Sequence, residues 1–282
     1  MCDAYRKLGL ILLIALWLGV LTPLLVAQRH LSHEDQCIAQ VRVIALAMTM
    51  YLQDYDEVYP LAFGRDTTGS WLWNRAHPVP HDWVPPDPVR DAAHASMWAN
   101  AILPYLSFRG GAPRYDLLHC PATIATKIAA DTRYANPRRR PAKVSYTYNG
   151  LLHRLLYAQV LNPTDVPLLW EGQGRTYPVG YAISNPTLRC ENRSVECQYQ
   201  PRSQDGSCIV RGAMFTADSM WIHPKGTVMA YADGHANWRR LGLVIAPNDT
   251  DPNYDPYTGY NTSGVPTNFW WDDCNPLIFR PY

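Results

Sequence analysis

The chain of 282 residues lacks the short motifs that mark several large enzyme classes. It contains no glycine-rich phosphate-binding loop, no G-x-S-x-G sequence, no H-E-x-x-H pair and no C-x-x-C pair. We also find no internal repeat of useful quality. These absences count against the nucleotide-binding, hydrolase and zinc-protease classes. We therefore expect a protein that is not an enzyme and that holds no cofactor.

Charge is scarce as well. Only 17% of the residues are Asp, Glu, Lys or Arg, and the formal net charge is +1. We therefore expect no nucleic-acid partner, and we interpret the one basic cluster, Arg138 to Arg140, as a solvated loop. Tyrosine and tryptophan are abundant by contrast, with 18 and 10 residues. This composition favours a β-rich protein outside the cytosol.

One long uncharged segment is present, from Leu8 to Gln28, and only Pro23 disturbs it. About 20 helical residues span roughly 30 Å, so the segment predicts a transmembrane helix. Arg6 and Lys7 precede it, which favours a cytoplasmic N-terminus and an exoplasmic body. A cleaved signal peptide is the alternative, and it is disfavoured because the apolar run is longer than a usual signal core.

The helical pattern continues beyond the apolar segment without a turn signal and ends before Pro60. Apolar residues recur there at steps of three and four, which predicts one stripe that packs against a sheet. The stripe consists of Ile38, Val41, Ala45, Met48, Leu52 and Tyr55.

The rest of the chain predicts a mostly antiparallel sheet with long loops. Alternating patterns predict strands over 143–149, 157–161 and 166–170, and a helix is expected over 91–103. The strongest hairpin signal joins 227–232 to 235–239 through a two-residue turn, Asp233 and Gly234. The predicted parts are a cytoplasmic N-terminus (residues 1–7), the transmembrane half of a long helix (8–28) and its amphipathic half (29–56). An exoplasmic α+β body (57–242) and a loop-rich C-terminal segment (243–282) follow.

The cysteines are consistent with an oxidising compartment. Six follow the apolar segment, an even number, with spacings too irregular for a recognised zinc site. Disulfides are therefore the favoured interpretation for Cys37, Cys120, Cys190, Cys197, Cys208 and Cys274.

Two further groups of residues are candidate sites. His223 and Asp233 could act as a catalytic base and its orienting carboxylate, with His235 as a possible metal partner, but a turn role for Asp233 is favoured. An oxygen-rich loop could bind calcium, although a plain turn is favoured there too. Its candidate ligands are Asp249, Asp251 and Asp255.

Four stretches, in order, resemble the prepilin-type, pseudopilin-like family with a C-terminal H-X9-DG motif. The motif itself is His223, Asp233 and Gly234 within IHPKGTVMAYADGHANW. The other stretches are CIAQVRVIALAMTMYLQDYDEVYP from Cys37, MWANAILPYL from Met97 with HCPA from His119, and SYTYNG from Ser145.

The resemblance implies an α+β, type IV pilin-like fold, in which a long N-terminal transmembrane and amphipathic helix packs on a mostly antiparallel sheet. It implies a structural subunit of a type IV pilus or of a type II secretion-like filament, with the lipid bilayer and like subunits or other pilins as partners of the helix. The expected location is the inner membrane, or the cell surface or an extracellular filament after assembly. It also implies that Cys37 pairs with Cys120.

The sequence departs from the family at its N-terminal end, and this leaves alternatives to ordinary filament assembly open. The family's cleaved leader and its helix glutamate are missing, and Arg6 stands at the glutamate position. Three accounts fit this difference: the subunit caps the tip of a filament, it is a relative that does not polymerise, or the sequence lacks its true start. A different alternative is an anchored, non-polymerising surface protein that binds carbohydrate or other partners through aromatic loops. Its candidates are Trp71, Trp73, Trp83, Trp270 and Trp271, although covering the core is the commoner use of the first three.

Overall fold

The computed structural model describes residues 32–73, 76–84, 88–107, 111–188, 192–201, 210–211, 222–224, 226–240, 258–260, 266–269 and 278–282. Three α-helices lie in these residues: α1 (His33–Asp54), α2 (Pro88–Ala95) and α3 (Trp98–Ala101). Short 3-10 helices cover Leu103–Leu106, Tyr115–Leu118, Thr132–Tyr134, Gly150–Leu152 and Tyr157–Gln159. The strands are β1 (Gly64–Arg65), β2 (Trp71–Leu72), β3 (His77–Pro78), β4 (Ile124–Thr126), β5 (Thr147–Tyr148), β6 (Pro167–Trp170), β7 (Thr176–Pro178), β8 (Tyr181–Ser184), β9 (Thr187–Leu188), β10 (Val210–Arg211), β11 (Gly226–Tyr231), β12 (Ala236–Arg240), β13 (Thr258–Tyr260) and β14 (Pro266–Phe269).

Six of the strands form the main sheet, in the order β12-β11-β6-β5-β8-β3. Its β5–β8 pair is parallel and its other pairs are antiparallel, so the sheet is mixed. The parallel pair β4–β7 and three antiparallel pairs, β1–β2, β9–β10 and β13–β14, lie outside it. The central strands β6, β8 and β11 are buried along their whole length.

Local signals set the ends of α1. The Ser32 hydroxyl accepts a hydrogen bond from Asp35 N at 3.2 Å, and Glu34 and Asp35 place negative charge in the first turn. The helix ends at Asp54, and the next turn contains two non-glycine residues with positive φ, Asp56 and Glu57. One face of α1 packs on β6, β11 and β12.

The face of α1 that is buried differs in part from the predicted stripe. Val41, Ala45, Met48 and Leu52 are buried, whereas Ile38 is half-buried and Tyr55 is exposed just beyond the helix. The remaining buried positions of α1 are Cys37, Ile44, Ala47 and Tyr51.

The predicted fold, a long N-terminal helix packed on a mostly antiparallel sheet, is wrong. In the described residues the longest helix has 22 residues and begins at His33, the others have 8 and 4, and the dominant element is the mixed six-stranded sheet. The apolar half, Leu8 to Gln28, lies outside the described residues.

Among the residues that the structure describes, no helix is both long and apolar enough to cross a bilayer. This finding contradicts the predicted transmembrane helix and the predicted inner-membrane location. It equally contradicts the bilayer and like subunits as partners reached through such a helix.

Two smaller sequence predictions also need correction. Residues 157–161 were expected to form a strand, but Tyr157–Gln159 is a 3-10 helix. The β11–β12 hairpin is present, yet its last paired residues are Ala230 and Ala236. The connection is therefore longer than the two-residue turn that Asp233 and Gly234 predicted.

Candidate functional site

The two ends of the H-X9-DG motif lie at opposite ends of β11. His223 precedes the strand and is buried, while Asp233 follows it and is exposed. The six residues of β11, which lie between them, extend roughly 20 Å at the rise of a β-strand. His223 and Asp233 therefore do not form a catalytic pair.

Asp233 has a role in the turn of the hairpin. Its Oδ1 accepts a hydrogen bond from His235 N at 3.1 Å and lies 2.6 Å from His235 Nδ1. Gly234 has a φ of +91°, a conformation that glycine adopts without strain. The Asp-Gly end of the motif thus shapes a surface turn, and His223 is too distant to share a metal with His235.

His223 instead contacts a buried carboxylate that sequence reasoning missed. Its Nε2 lies 3.1 Å from Oε1 of Glu171, the residue directly after β6. The other carboxylate oxygen accepts hydrogen bonds from Val228 N at 2.8 Å and from Thr227 Oγ1 at 3.1 Å. Glu171 therefore joins the end of β6 to β11.

A disulfide lies beside this pair. Cys37 and Cys120 are bonded to each other, with Cα atoms 5.0 Å apart, and the bond ties α1 to the loop before β4. Cys120 Sγ is 3.7 Å from His223 Nε2. One potential metal-binding atom from each of four residues lies within 4.8 Å of the others. We call Cys37, Cys120, Glu171 and His223 the motif cluster.

The motif cluster is closed to solvent. Cys37, Cys120 and Glu171 have no exposed surface, and His223 has 3%. Its members come from α1, from the segment after the second 3-10 helix, from the end of β6 and from the start of β11. The only sequence signal for Glu171 is a charged residue at the end of an apolar strand.

Most of the other cysteines and the calcium candidates lie outside the described residues. Cys197 is disulfide-bonded too. Its partner lies outside the described residues, because Cys37 and Cys120 are the other described cysteines and they bind each other. Outside the described residues lie also Cys190, Cys208, Cys274, Trp270, Trp271 and the calcium candidates Asp249, Asp251 and Asp255.

Three tryptophans that are candidates for carbohydrate binding in the alternative interpretation are part of the core. Trp71, Trp73 and Trp83 have 3%, 7% and 0% of their surface exposed. Trp71 stacks on Trp73 with 5.1 Å between ring centroids, and the Trp83 indole N–H donates to Gly180 O at 2.6 Å. These three rings are not available to stack on a sugar, so this part of the carbohydrate prediction is wrong.

A surface groove that shares no residue with the motif cluster has a distinct chemistry. Its volume is about 780 Å³. Cationic, apolar and a few other polar side chains line it: Pro80, Pro113, Tyr115, Asp116, His119, Lys127, Arg139, Arg140, Pro141, Ala142, Lys143 and Val179. We call it the cationic groove.

Four cations and one carboxylate line the cationic groove. The carboxylate, Asp116, is bound to Arg114 at 2.6 Å, and Arg139 is bound to Asp82 at 3.0 Å. Within the described residues Arg140 and Lys143 have no ion-pair partner. The groove therefore retains unneutralised positive charge, although the whole chain is almost neutral.

His119 is the half-buried polar side chain of the groove. Its Nδ1 lies 2.7 Å from the buried hydroxyl of Tyr177. Burial, and to a lesser degree the charge of Lys143, lowers the pKa of His119 to about 4, so the ring is neutral at pH 7. The Tyr177 hydroxyl keeps its proton because burial raises its pKa, and it can donate to Nδ1. Thr123 Oγ1 also lies 3.3 Å from this nitrogen, and His119 Nε2 can donate to a ligand or accept from it according to the tautomer.

Comparison of the chain with models of protein families, with curated proteins and with solved structures found no match. The family resemblance therefore rests on the four sequence stretches alone.

Proposed function

We propose that the chain is a non-catalytic binding protein for acidic glycans, and that the cationic groove is its binding surface. The observation that carries the proposal is the local charge: Lys127, Arg139, Arg140 and Lys143 surround a groove whose one carboxylate is already bound to Arg114. A carboxylated sugar replaces water around these cations at little cost, because they lie at the surface.

The apolar part of the groove favours a glycan over other polyanions. Pro113, Pro141 and Tyr115 are at least partly exposed and line the groove with apolar surface on which the C–H face of a sugar can pack. A single-stranded nucleic acid needs several aromatic platforms, whereas the lining residues supply the phenol ring of Tyr115 and the half-buried imidazole of His119. The neutral His119 adds an uncharged group that can form a hydrogen bond with a hydroxyl group.

The groove is held in place by backbone hydrogen bonds of the segment that carries its cations. Arg138 N donates to Trp83 O at 2.9 Å, Ala142 N donates to Val79 O at 2.8 Å, and Gly180 N donates to Ala142 O at 2.7 Å. Arg139, Arg140 and Lys143 therefore extend from a fixed backbone. Such preorganisation lowers the entropic cost of binding.

The test is a titration of the purified full chain with polygalacturonate fragments, with dextran as the uncharged polymer. We expect binding of polygalacturonate alone, and weaker binding at high salt because exposed charges are screened. The double variant Arg140→Gln/Lys143→Gln should bind about tenfold more weakly, since it removes two surface ion pairs with the ligand.

The matched control is Arg42→Gln/Arg280→Gln, which removes two exposed cations outside the cationic groove. Equal loss of binding in both double variants would show nonspecific attraction and contradict the proposal. Binding of an acidic peptide or a nucleic acid in place of polygalacturonate would overturn the ligand class.

A filament-subunit role stays a prediction from the family resemblance. The location of the groove does not depend on it, and the binding experiment does not test it.

A further inference from the structure

We propose that the motif cluster is a redox-gated zinc site. In the oxidised chain, Cys37 and Cys120 hold α1 to the body through their disulfide. In the reduced chain the same two sulfurs, Glu171 Oε1 and His223 Nε2 hold one Zn²⁺. The proposal is independent of the glycan-binding function, because the motif cluster and the cationic groove share no residue.

The chemistry of the donors suits zinc. Two thiolates, one imidazole and one carboxylate oxygen form a tetrahedral set of the kind that zinc prefers. All four residues are essentially buried, so bulk water does not compete for the ion. With Zn²⁺ bound, the two thiolates and one carboxylate leave a net charge of about −1, which is smaller in magnitude than the charge of about −3 that these three ligands carry without the metal.

The distances also suit zinc. Zinc bonds of about 2.0 to 2.3 Å place the ligand atoms of a tetrahedral site roughly 3.3 to 3.8 Å apart. His223 Nε2 lies 3.1 Å from Glu171 Oε1 and 3.7 Å from Cys120 Sγ. These two separations need to change by only a few tenths of an ångström. The bonded sulfurs are the pair that must separate, which requires reduction.

Hydrogen-bond partners that would hold the proposed ligands in place are already present. Glu171 would bind zinc through Oε1 while Oε2 keeps its hydrogen bonds from Val228 N and Thr227 Oγ1. Such outer partners orient a metal ligand and fix which oxygen faces the ion. The backbone of His223 is held by paired hydrogen bonds with Gly226, at 3.1 and 3.2 Å.

The exchange between the two states is balanced. A dithiol reductant donates two electrons and two protons to the disulfide, giving two thiols, and is itself oxidised to a disulfide. Zn²⁺ then binds the two sulfurs as thiolates, and their two protons pass to solvent. Either state links α1 to the loop before β4, and the zinc state also links both to Glu171 and His223, so the body can stay packed before oxidation.

The experiment uses the full chain, freed of metal and reduced under anaerobic conditions with a phosphine, which becomes the phosphine oxide. Co²⁺ is titrated as a spectroscopic probe for zinc, and Zn²⁺ is then used to displace it. We expect one equivalent of Co²⁺ with thiolate charge-transfer bands and the visible bands of a tetrahedral ion. The oxidised chain should lack this equivalent.

The other cysteines can also bind metal after reduction, so variants identify the site. Cys37→Ser/Cys120→Ser should lose one equivalent of tetrahedral Co²⁺. His223→Gln and Glu171→Gln should weaken or lose the same equivalent, whereas His235→Gln should retain it. His235 is the matched control because it is exposed at the opposite end of β11.

Near-UV circular dichroism reports whether the reduced chain stays folded. Recovery of native packing on addition of Zn²⁺ supports the proposal even if reduction alone unfolds the chain. The proposal is overturned if the wild type and Cys37→Ser/Cys120→Ser bind metal with the same stoichiometry and spectrum. It is equally overturned if a chain unfolded by reduction does not refold with zinc.

Discussion

Glu171 Oε2 lies 2.8 Å from the backbone nitrogen of Val228, so a carboxylate closes one end of the contact between β6 and β11. The carboxylate is completely buried. A buried charge is tolerated where hydrogen bonds surround it, and here Val228 N, Thr227 Oγ1 and His223 Nε2 do so.

Replacement of Glu171 should be strongly destabilising. Glu171→Ala leaves Val228 N–H, the Thr227 hydroxyl and His223 without their acceptor, and should lower the free energy of unfolding by about 3 kcal/mol. Glu171→Gln keeps one acceptor oxygen and should cost less. Urea unfolding of the oxidised, metal-free chain measures both, and equal stability of the two variants would contradict this role.

Removal of the Cys37–Cys120 disulfide should lower stability by about 4 kcal/mol. The two residues are 83 apart in sequence, and the cross-link restricts the unfolded chain over that length. Guanidinium unfolding of Cys37→Ala/Cys120→Ala in the presence of a chelator checks the value. A midpoint equal to that of the wild type would show that α1 is held by packing alone.

Two glycines with similar backbone conformation should respond differently to alanine. Gly180 and Gly234 have φ values of +88° and +91°, so each substitution carries backbone strain of about 1 to 2 kcal/mol. A Cβ on Gly180 would also lie 2.8 Å from Pro141 Cβ and from the Trp83 ring, whereas a Cβ on Gly234 meets nothing within 4 Å. Thermal unfolding should therefore show Gly180→Ala as the more damaging change by at least about 1 kcal/mol.

His77 should make the protein sensitive to acid. Its ring is completely buried, and neither of its nitrogens has a hydrogen-bond partner among the described residues. Burial, and secondarily the charge of His94, lowers the pKa of His77 from 6.5 to about 3. Below pH 6.5 His77 therefore binds a proton in the unfolded chain, whereas in the folded chain it stays neutral until the pH falls to about 3.

The His77 contribution to stability is thus complete above pH 6.5 and is lost as the pH falls toward 3. The loss is at most about 1.4 kcal/mol per pH unit. Denaturant unfolding between these limits should show a shallower decline for His77→Leu than for the wild type. His33→Leu, which removes an exposed histidine, is the control, and parallel curves for the wild type and His77→Leu would refute the assignment.

The sequence predicts those elements whose evidence is periodic and local. The amphipathic pattern before Pro60 corresponds to α1, and the apolar run ending at Trp170 corresponds to β6. The same local reasoning fails for 157–161, where a pattern that suits a strand belongs to a 3-10 helix without a partner strand. Strand pairing depends on distant residues, and a short segment does not specify it.

Sequence alone supplied the motif residues, the even number of cysteines after the apolar segment, the basic cluster and a near-neutral chain. It misassigned the partner of His223, because such partners depend on which residues are neighbours in space. His223 pairs with Glu171, 52 residues away, and not with Asp233 in its own motif. Arg139 and Arg140 line a groove with Lys143 and with Lys127, which directly follows β4, because the fold brings these two segments together.

Tertiary structure also decided which polar groups are buried. Trp71 and Trp83 became core residues, and Glu171 became a buried carboxylate beside a disulfide. Hydrophobic periodicity reports the face that one element hides, whereas the burial of an individual charge depends on whether other elements bring it hydrogen-bond donors. That information is held in contacts between residues far apart in sequence, so only the folded chain contains it.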